Sequence, residues 1–86
     1  MTHDERIVKR LRRAEGQIRG VLRMIEQGRP CRDVVAQLCA VRNAVDRAIA
    51  HIVAVNLEQC VRSEQERGQS SETAVRQAIE LLVKSR

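Results

Sequence analysis

Two cysteines are the residues of this chain best suited to chemistry. Cys31 follows Arg29 and Pro30, where a helix is expected to begin, and Cys60 lies 29 residues further on. If that interval is one helix, a rise of ~1.5 Å per residue sets the thiols roughly 43 Å apart along its axis. At about 100° per residue the interval returns nearly to the starting face. Both sulfurs then look the same way and cannot meet within one chain. Antiparallel pairing of two copies about a midpoint near residues 45 and 46 would bring Cys31 of one beside Cys60 of the other. The pattern therefore describes two identical two-cysteine sites that exist only in a dimer. At the first turn of a helix, unpaired N–H groups and the positive end of the dipole favour an anion. Arg29 and Arg32 flank Cys31 with further positive charge, so the reactive thiolate is favoured there.

The neighbours of this pair decide which chemistry it suits. Asn56 stands one helical turn before Cys60 and would face the same site. A histidine there would complete two thiolates and an imidazole, a good set for a soft ion such as Cu(I), whereas a carboxamide is a poor ligand for it. Two facing thiols without a third soft ligand are better matched to sulfur chemistry. One is oxidised or persulfidated, the other attacks, and a covalent bridge forms. A plain disulfide needs Cα atoms within about 7 Å, and inserted sulfur atoms would span a wider gap. The sensing thiols are thus Cys31 and Cys60 with Asn56 adjacent, and no cofactor is expected. The alternative is Cu(I) held by Cys31 and Cys60. Cys39, about 80° around the helix from Cys31, reads as core. His51 falls nearly opposite Cys31, and His3 reads as solvent-exposed on the terminal arm. No general base stands at a suitable spacing, so an enzyme using Cys31, such as a sulfur carrier, is disfavoured and no catalytic residue is assigned.

These residues need long helices to position them, and the composition suits that. The 86 residues include no Phe, Tyr or Trp, so a core must be built from aliphatic side chains, as in helix bundles. Burial between subunits would supply area that so small a domain lacks. No apolar run approaches the ~20 residues of a membrane span, and no secretory signal is present. A cytoplasmic protein without a membrane partner is expected. Three cysteines in that setting point to reactive thiols or metal ligands rather than a disulfide framework. The net charge is +5. Residues 1–29 hold eight Lys/Arg against four Asp/Glu, net +4, and residues 30–86 hold eight against seven, net +1. A basic first segment suggests an acidic partner, most commonly a phosphate backbone. The plainer alternative is a solvated helix face, but four copies of +5 would carry +20. The absence of aromatics argues against stacking on single-stranded nucleic acid.

The spacing predicts an all-α chain with one domain over residues 1–86. Helix one is expected at about 4–27, helix two at about 31–65 and helix three at about 71–85. Thr2 and Glu5 have the form of a capping box. Ile7, Leu11, Ala14, Ile18, Val21 and Ile25 make one apolar stripe at alternating steps of four and three. Gly16 and Gly20 interrupt a helix at a cost of about 1 kcal/mol each relative to Ala, and would allow close approach of a neighbouring helix or of DNA. Gly28 then Pro30 reads as a stop and a restart. Helix two carries a stripe through Val34, Leu38, Val41, Val45, Ala48, Ile52 and Val55. It overhangs any short partner, so part of that stripe must be covered by another chain. Ser71 with Glu72 begins helix three, whose apolar face is Val75, Ala78, Ile79, Leu82 and Val83. Arg6, Arg10, Arg13 and Gln17 line one side of helix one, with Lys9 beside them.

Five stretches carry a resemblance. They are Arg10-Leu-Arg-Arg-Ala-Glu-Gly-Gln-Ile-Arg-Gly20, Arg23-Met-Ile-Glu26, Cys31-Arg-Asp-Val-Val-Ala-Gln-Leu38, Ala40-Val-Arg-Asn-Ala44 and Cys60-Val61. The chain resembles, over nearly its whole length, the copper-sensitive operon repressor family. Its members also sense nickel or cobalt, formaldehyde and reactive sulfur. The resemblance implies three helices per protomer with a long central helix, an antiparallel helix-bundle dimer, and a disc-like homotetramer. That tetramer binds double-stranded operator DNA and lets go on sensing its inducer. It also places the family's DNA-contacting basic residues on Arg10, Arg13 and Arg47, which with Lys9 and Gln17 form the expected DNA-binding set. For Arg47 the alternative is an ion pair one turn away. The copper branch uses Cys, His and Cys where this chain has Cys31, Asn56 and Cys60, so the pattern is most similar to the persulfide-sensing branch, which controls sulfide detoxification. The copper branch also uses a Tyr and a Glu at positions that align with Pro30 and Arg76. Nickel-type members carry further histidines, of which only His3 could match. Formaldehyde-type members need an N-terminal amine, often a proline, where this chain has Thr2. The resemblance therefore implies a repressor, not an enzyme. Reactive sulfur species would join Cys31 to Cys60 of another subunit through a di-, tri- or tetrasulfide.

Overall fold

The structure, a computed structural model, describes residues 4–85. It consists of three helices, α1 (Glu5–Glu26), α2 (Cys31–Glu66) and α3 (Glu72–Lys84), with no strand among the described residues. The all-α expectation holds, and the observed helix ends fall within a residue or so of those read from the spacing.

α1 starts differently from the capping box read in the sequence. Asp4 is the N-cap: its carboxylate accepts the Arg6 backbone N–H at 2.8 Å and an ion pair from the Arg6 guanidinium at 3.0 Å. Glu5 is therefore the first helical residue rather than the third, and Thr2 lies outside the described residues. An aspartate caps as well as a threonine and adds a charge that the helix dipole favours.

Both α1 and α2 end in the same motif. Gly28 and Gly68 adopt φ +70° and +71°. The N–H of Gly28 donates to Ile25 and that of Arg29 to Met24, at 3.1 and 2.9 Å; Gly68 and Gln69 repeat this to Gln65 and Glu64 at 3.0 and 2.7 Å. These paired bonds are a Schellman cap, which requires a left-handed residue at the glycine position. Pro30 lies just before α2, its carbonyl accepting Asp33 and Val34 N–H groups. α3 is preceded by Ser71, but the hydroxyl that accepts a helical N–H, that of Glu72 at 3.2 Å, belongs to Ser70.

The described chain forms two compact units, Asp4–Ala48 and from Ile49 onward, divided within α2. In the first, Ile7, Ala14 and Val21 of α1 and Val41 and Ala48 of α2 are buried. Residues seven apart lie nearly above one another on a helix, so the predicted α1 stripe separates into two lines. One is buried; the other, Leu11, Ile18 and Ile25, is exposed, as are Leu38 and Val45 of α2. In the second unit Val53, Ala74 and Ala78 are buried. The face predicted for α3 is corrected accordingly: Ala78 is buried together with Ala74, while Val75, Ile79, Leu82 and Val83 are exposed. Small side chains face the core here and bulky ones face out, the reverse of a self-sufficient bundle. Gly16 and Gly20 do not serve close packing within the chain. A Cβ at Gly20 would meet nothing within 4 Å, and one at Gly16 only the tip of Arg19.

Candidate functional site

Two clefts gather the residues singled out by spacing. The first lies wholly in the Asp4–Ala48 unit. It is about 290 Å³ in volume and is lined by Arg10, Arg13 and Gln17 of α1 and by Ala40, Asn43, Ala44 and Arg47 of α2. The arginines recur at helical spacing, and Ala40 and Ala44 keep the α2 wall low. No ion pair joins Arg10, Arg13 or Arg47 to a carboxylate among the described residues. The ion pair weighed for Arg47 is thus not formed. Three unneutralised guanidiniums on one concave surface favour a multiply charged anion, and the planar fork of each suits phosphate oxygens. The Oε1 atom of Gln17 is buried without a hydrogen-bond partner. Two sequence assignments fall outside the cleft: Arg6 is paired to Asp4, and Lys9 is exposed but does not line it. A helical wheel groups all five on one side of α1 and does not say which of them α2 meets. Asn43 was missed, although it lies one turn before Arg47 on the same helix.

The second cleft, about 260 Å³, lies on the late part of α2 and its cap. It is lined by Asn56, Gln59, Cys60, Ser63, Glu64 and Arg67. The expected Asn56–Cys60 neighbourhood is therefore formed. Gln59, Ser63, Glu64 and Arg67 were not read from the sequence, although steps of three and four from Asn56 reach every one of them. Cys60 is half-buried and Cys31, the first residue of α2, is exposed; all three cysteines are free thiols. Of the two arginines expected beside Cys31, Arg29 forms an ion pair with Asp33 at 3.3 Å. That pair is exposed and is worth about 0.2–1 kcal/mol. The helix start itself remains the main electrostatic feature at Cys31.

Cys39 is a correction. It is half-buried rather than core, and the Arg42 guanidinium donates to its sulfur at 3.9 Å. The cause is angular: two residues from buried Val41, Cys39 is turned by about 200° away from the buried line. His51 is half-buried and lines neither cleft, and His3 lies outside the described residues. Arg76 is held by Glu72 at 3.0 Å, one turn away.

Three helices, an arginine-lined cleft and free thiols at the start and toward the end of one long helix define a small all-helical protein. The chain belongs to the metal-sensitive transcriptional repressor family, whose model matches residues 3–84. The family is one of repressors, not enzymes. The uncharacterised protein YrkD of Bacillus subtilis is 56% identical over 63 residues, 73% of this chain and 100% of that protein. The copper-sensing transcriptional repressor RicR of Mycobacterium tuberculosis is 45% identical over 53 residues, 62% of this chain and 55% of RicR. The match thus spans about half the length of that copper-sensing relative. Among solved structures, the nickel-responsive transcriptional regulator InrS superposes with a TM-score of 0.78 at 34% identity, covering 96% of this chain and 92% of InrS. The Cu(I)-bound copper-sensing repressor CsoR of Geobacillus thermodenitrificans also gives 0.78, at 30% identity, covering 98% and 91%. Among the described residues no helix is long and apolar enough to cross a membrane.

Proposed function

We propose that this chain is a cytoplasmic repressor that holds double-stranded operator DNA until reactive sulfur species, persulfide or polysulfide, join Cys31 to Cys60 of a partner subunit. Two protomers pair antiparallel along α2 and two such dimers form a tetramer. The exposed apolar residues of α1 and α3 are the surfaces available for that burial. Each protomer then offers its arginine cleft to the phosphate backbone, with Arg10, Arg13, Arg47 and Gln17 as contacts and Lys9 as a peripheral charge. Sulfane sulfur passes from a donor to Cys31, releasing the donor's thiol. Cys60 of the partner subunit then displaces sulfide and closes the bridge; a further transfer before closure lengthens it by one sulfur. A 100-fold loss of operator affinity needs a coupling of only about 2.7 kcal/mol, well within reach of a covalent tether.

The observation that carries this reading is the company Cys60 keeps. Its cleft supplies carboxamides, a hydroxyl, a carboxylate and a guanidinium, and none of these is the third soft donor that Cu(I) prefers. The family's metal therefore fits only in part: Cys31 and Cys60 would hold Cu(I) through two thiolates, and the ion would link the same two α2 ends. The copper-sensing relatives favour this second reading. Operator binding before and after anaerobic polysulfide treatment, with intact-mass analysis, tests the first. Lost affinity together with an intersubunit bridge is the expected result, and unchanged affinity or a missing bridge would sink it. Cu(I) titration against a strong chelator tests the second.

A further inference from the structure

The cleft around Cys60 holds more than a thiol needs. A reactive cysteine requires access and a stabilised thiolate, yet this surface adds a carboxylate, Glu64, and a guanidinium, Arg67, one and two turns further along the same face. Helical side chains lean toward the N-terminus, so that of Glu64 reaches back over the turn that carries Cys60, and Arg67, just past the end of α2, lines the same cleft. The two charges are three residues apart, but no ion pair joins them. The Oε2 atom of Glu64 is buried without a hydrogen-bond partner. With that oxygen shielded and unpaired, the half-buried carboxylate carries its charge at a cost, which a cationic donor meeting its cleft-lining side would offset. Nor is the Arg67 side chain needed to end the helix, because the bonds there are made by the backbone N–H groups of Arg67, Gly68 and Gln69.

We infer that this cleft recognises the organic part of a persulfide of the amino-acid type, one carrying both an ammonium and a carboxylate. Arg67 takes the carboxylate as a forked pair and Glu64 takes the ammonium, with Ser63 and Asn56 within the same wall. A volume of about 260 Å³ lies below the roughly 300–1,000 Å³ of sites for drug-sized ligands, which matches a single amino acid. The inference rests on the sulfur-sensing reading and names the chemical class of its inducer. Held by its organic end beside Cys60, the donor R–S–SH presents its outer sulfur to Cys31 of the partner subunit. The Cys31 thiolate attacks that sulfur; the S–S bond joining it to R–S breaks, and R–S⁻ leaves and takes a proton. Cys31 is now a persulfide, Cys31–S–SH. The Cys60 thiolate attacks its inner sulfur and expels HS⁻, leaving Cys31–S–S–Cys60. Two thiols are oxidised and one sulfane sulfur is reduced to sulfide, so no further oxidant is required.

The test compares three donors on the intact protein under anaerobic conditions: cysteine persulfide, which carries both charges; cysteamine persulfide, which has the ammonium alone; and inorganic tetrasulfide, which has neither group. The readout is the rate at which bridged dimer accumulates by intact mass, with circular dichroism confirming that each variant is folded. Arg67→Ala should slow the reaction with cysteine persulfide about tenfold, the lower end for a charge-assisted hydrogen bond in an open cleft. It should leave cysteamine persulfide and tetrasulfide within about twofold. Glu64→Gln should slow both ammonium-bearing donors and spare tetrasulfide. Uniform slowing of all three reagents, or no slowing by either variant, would overturn the inference while leaving the bridge chemistry standing. Failure of every donor to bridge the wild-type protein would instead remove the sensing reading itself, and this recognition with it.

Discussion

Asn56 and Cys60 line one cleft a helical turn apart, so a single side chain can convert the donor set. Asn56→His places an imidazole where the carboxamide stands. If Cys31 of a partner subunit approaches that cleft, the variant has two thiolates and an imidazole for Cu(I). Its Cu(I) affinity in anaerobic chelator competition should exceed that of the wild type by about tenfold or more, equivalent to about 1.4 kcal/mol or more. An unchanged affinity would mean that Cys31 and Cys60 do not share a site. At this scale the sequence was most informative where one helix carries the whole pattern. Cys31, Asn56, Cys60, Arg10, Arg13 and Gln17 could be placed by counting turns. Counting failed where the answer depends on what a second helix covers. Arg6 and Lys9 share a side of α1 with Arg10 but lie outside the cleft, and Asn43 joins it only because α2 forms the other wall. Glu64 and Arg67 were within reach of the same counting from Cys60, but ordinary polar residues on a helix give no signal until the cleft between them is seen.

Glycine does two different jobs along these helices, and substitution separates them. Gly28 and Gly68 hold φ +70° and +71° with open space around them, so an alanine at either would meet no clash and would suffer only the left-handed backbone cost. Gly28→Ala and Gly68→Ala should each lower stability by about 1–2 kcal/mol, read from urea unfolding at a fixed protomer concentration. Gly20, inside α1 with nothing within 4 Å of the point where a Cβ would stand, should behave oppositely. Gly20→Ala should raise the stability of the helix by up to about 1 kcal/mol. A loss of stability there would show that another molecule approaches α1 closely at that point. Helix positions were legible because caps and breakers are local: Gly28, Pro30 and Gly68 act through their own backbone. The buried faces were less so, because the stripe on α1 and the apolar set on α3 are wider than one chain covers. Periodicity identifies apolar residues but does not divide them between an internal core and a surface for another chain.

At the scale of the molecule, charge and apolar surface point to the same arrangement. Ile79 and Val83 of α3 are 56% and 64% exposed, more bulky aliphatic surface than a core of Val53, Ala74 and Ala78 can balance in the second unit, and in the first unit Ile18 and Ile25 of α1 are 45% and 57% exposed. Self-association would cover such surface and multiply the net charge of +5 by the number of copies, and in the proposed tetramer each protomer would bring a further arginine cleft to one duplex. Phosphate contacts of this kind release counterions, and the observed binding constant then falls with salt at a log–log slope of about −0.9 per phosphate neutralised. Arg13→Ala removes one guanidinium from every cleft. With four protomers each contributing one such contact, the slope should become shallower by about 3.6, alongside a loss of affinity. Asn43→Ala in the same cleft removes a neutral group. It should weaken binding with the slope unchanged, because no counterion is exchanged. Fluorescence anisotropy on an operator duplex across a salt series separates the two variants. Equal slopes for wild type and Arg13→Ala would mean that the cleft does not face phosphate, and the DNA-binding surface would have to be sought on another part of the helices.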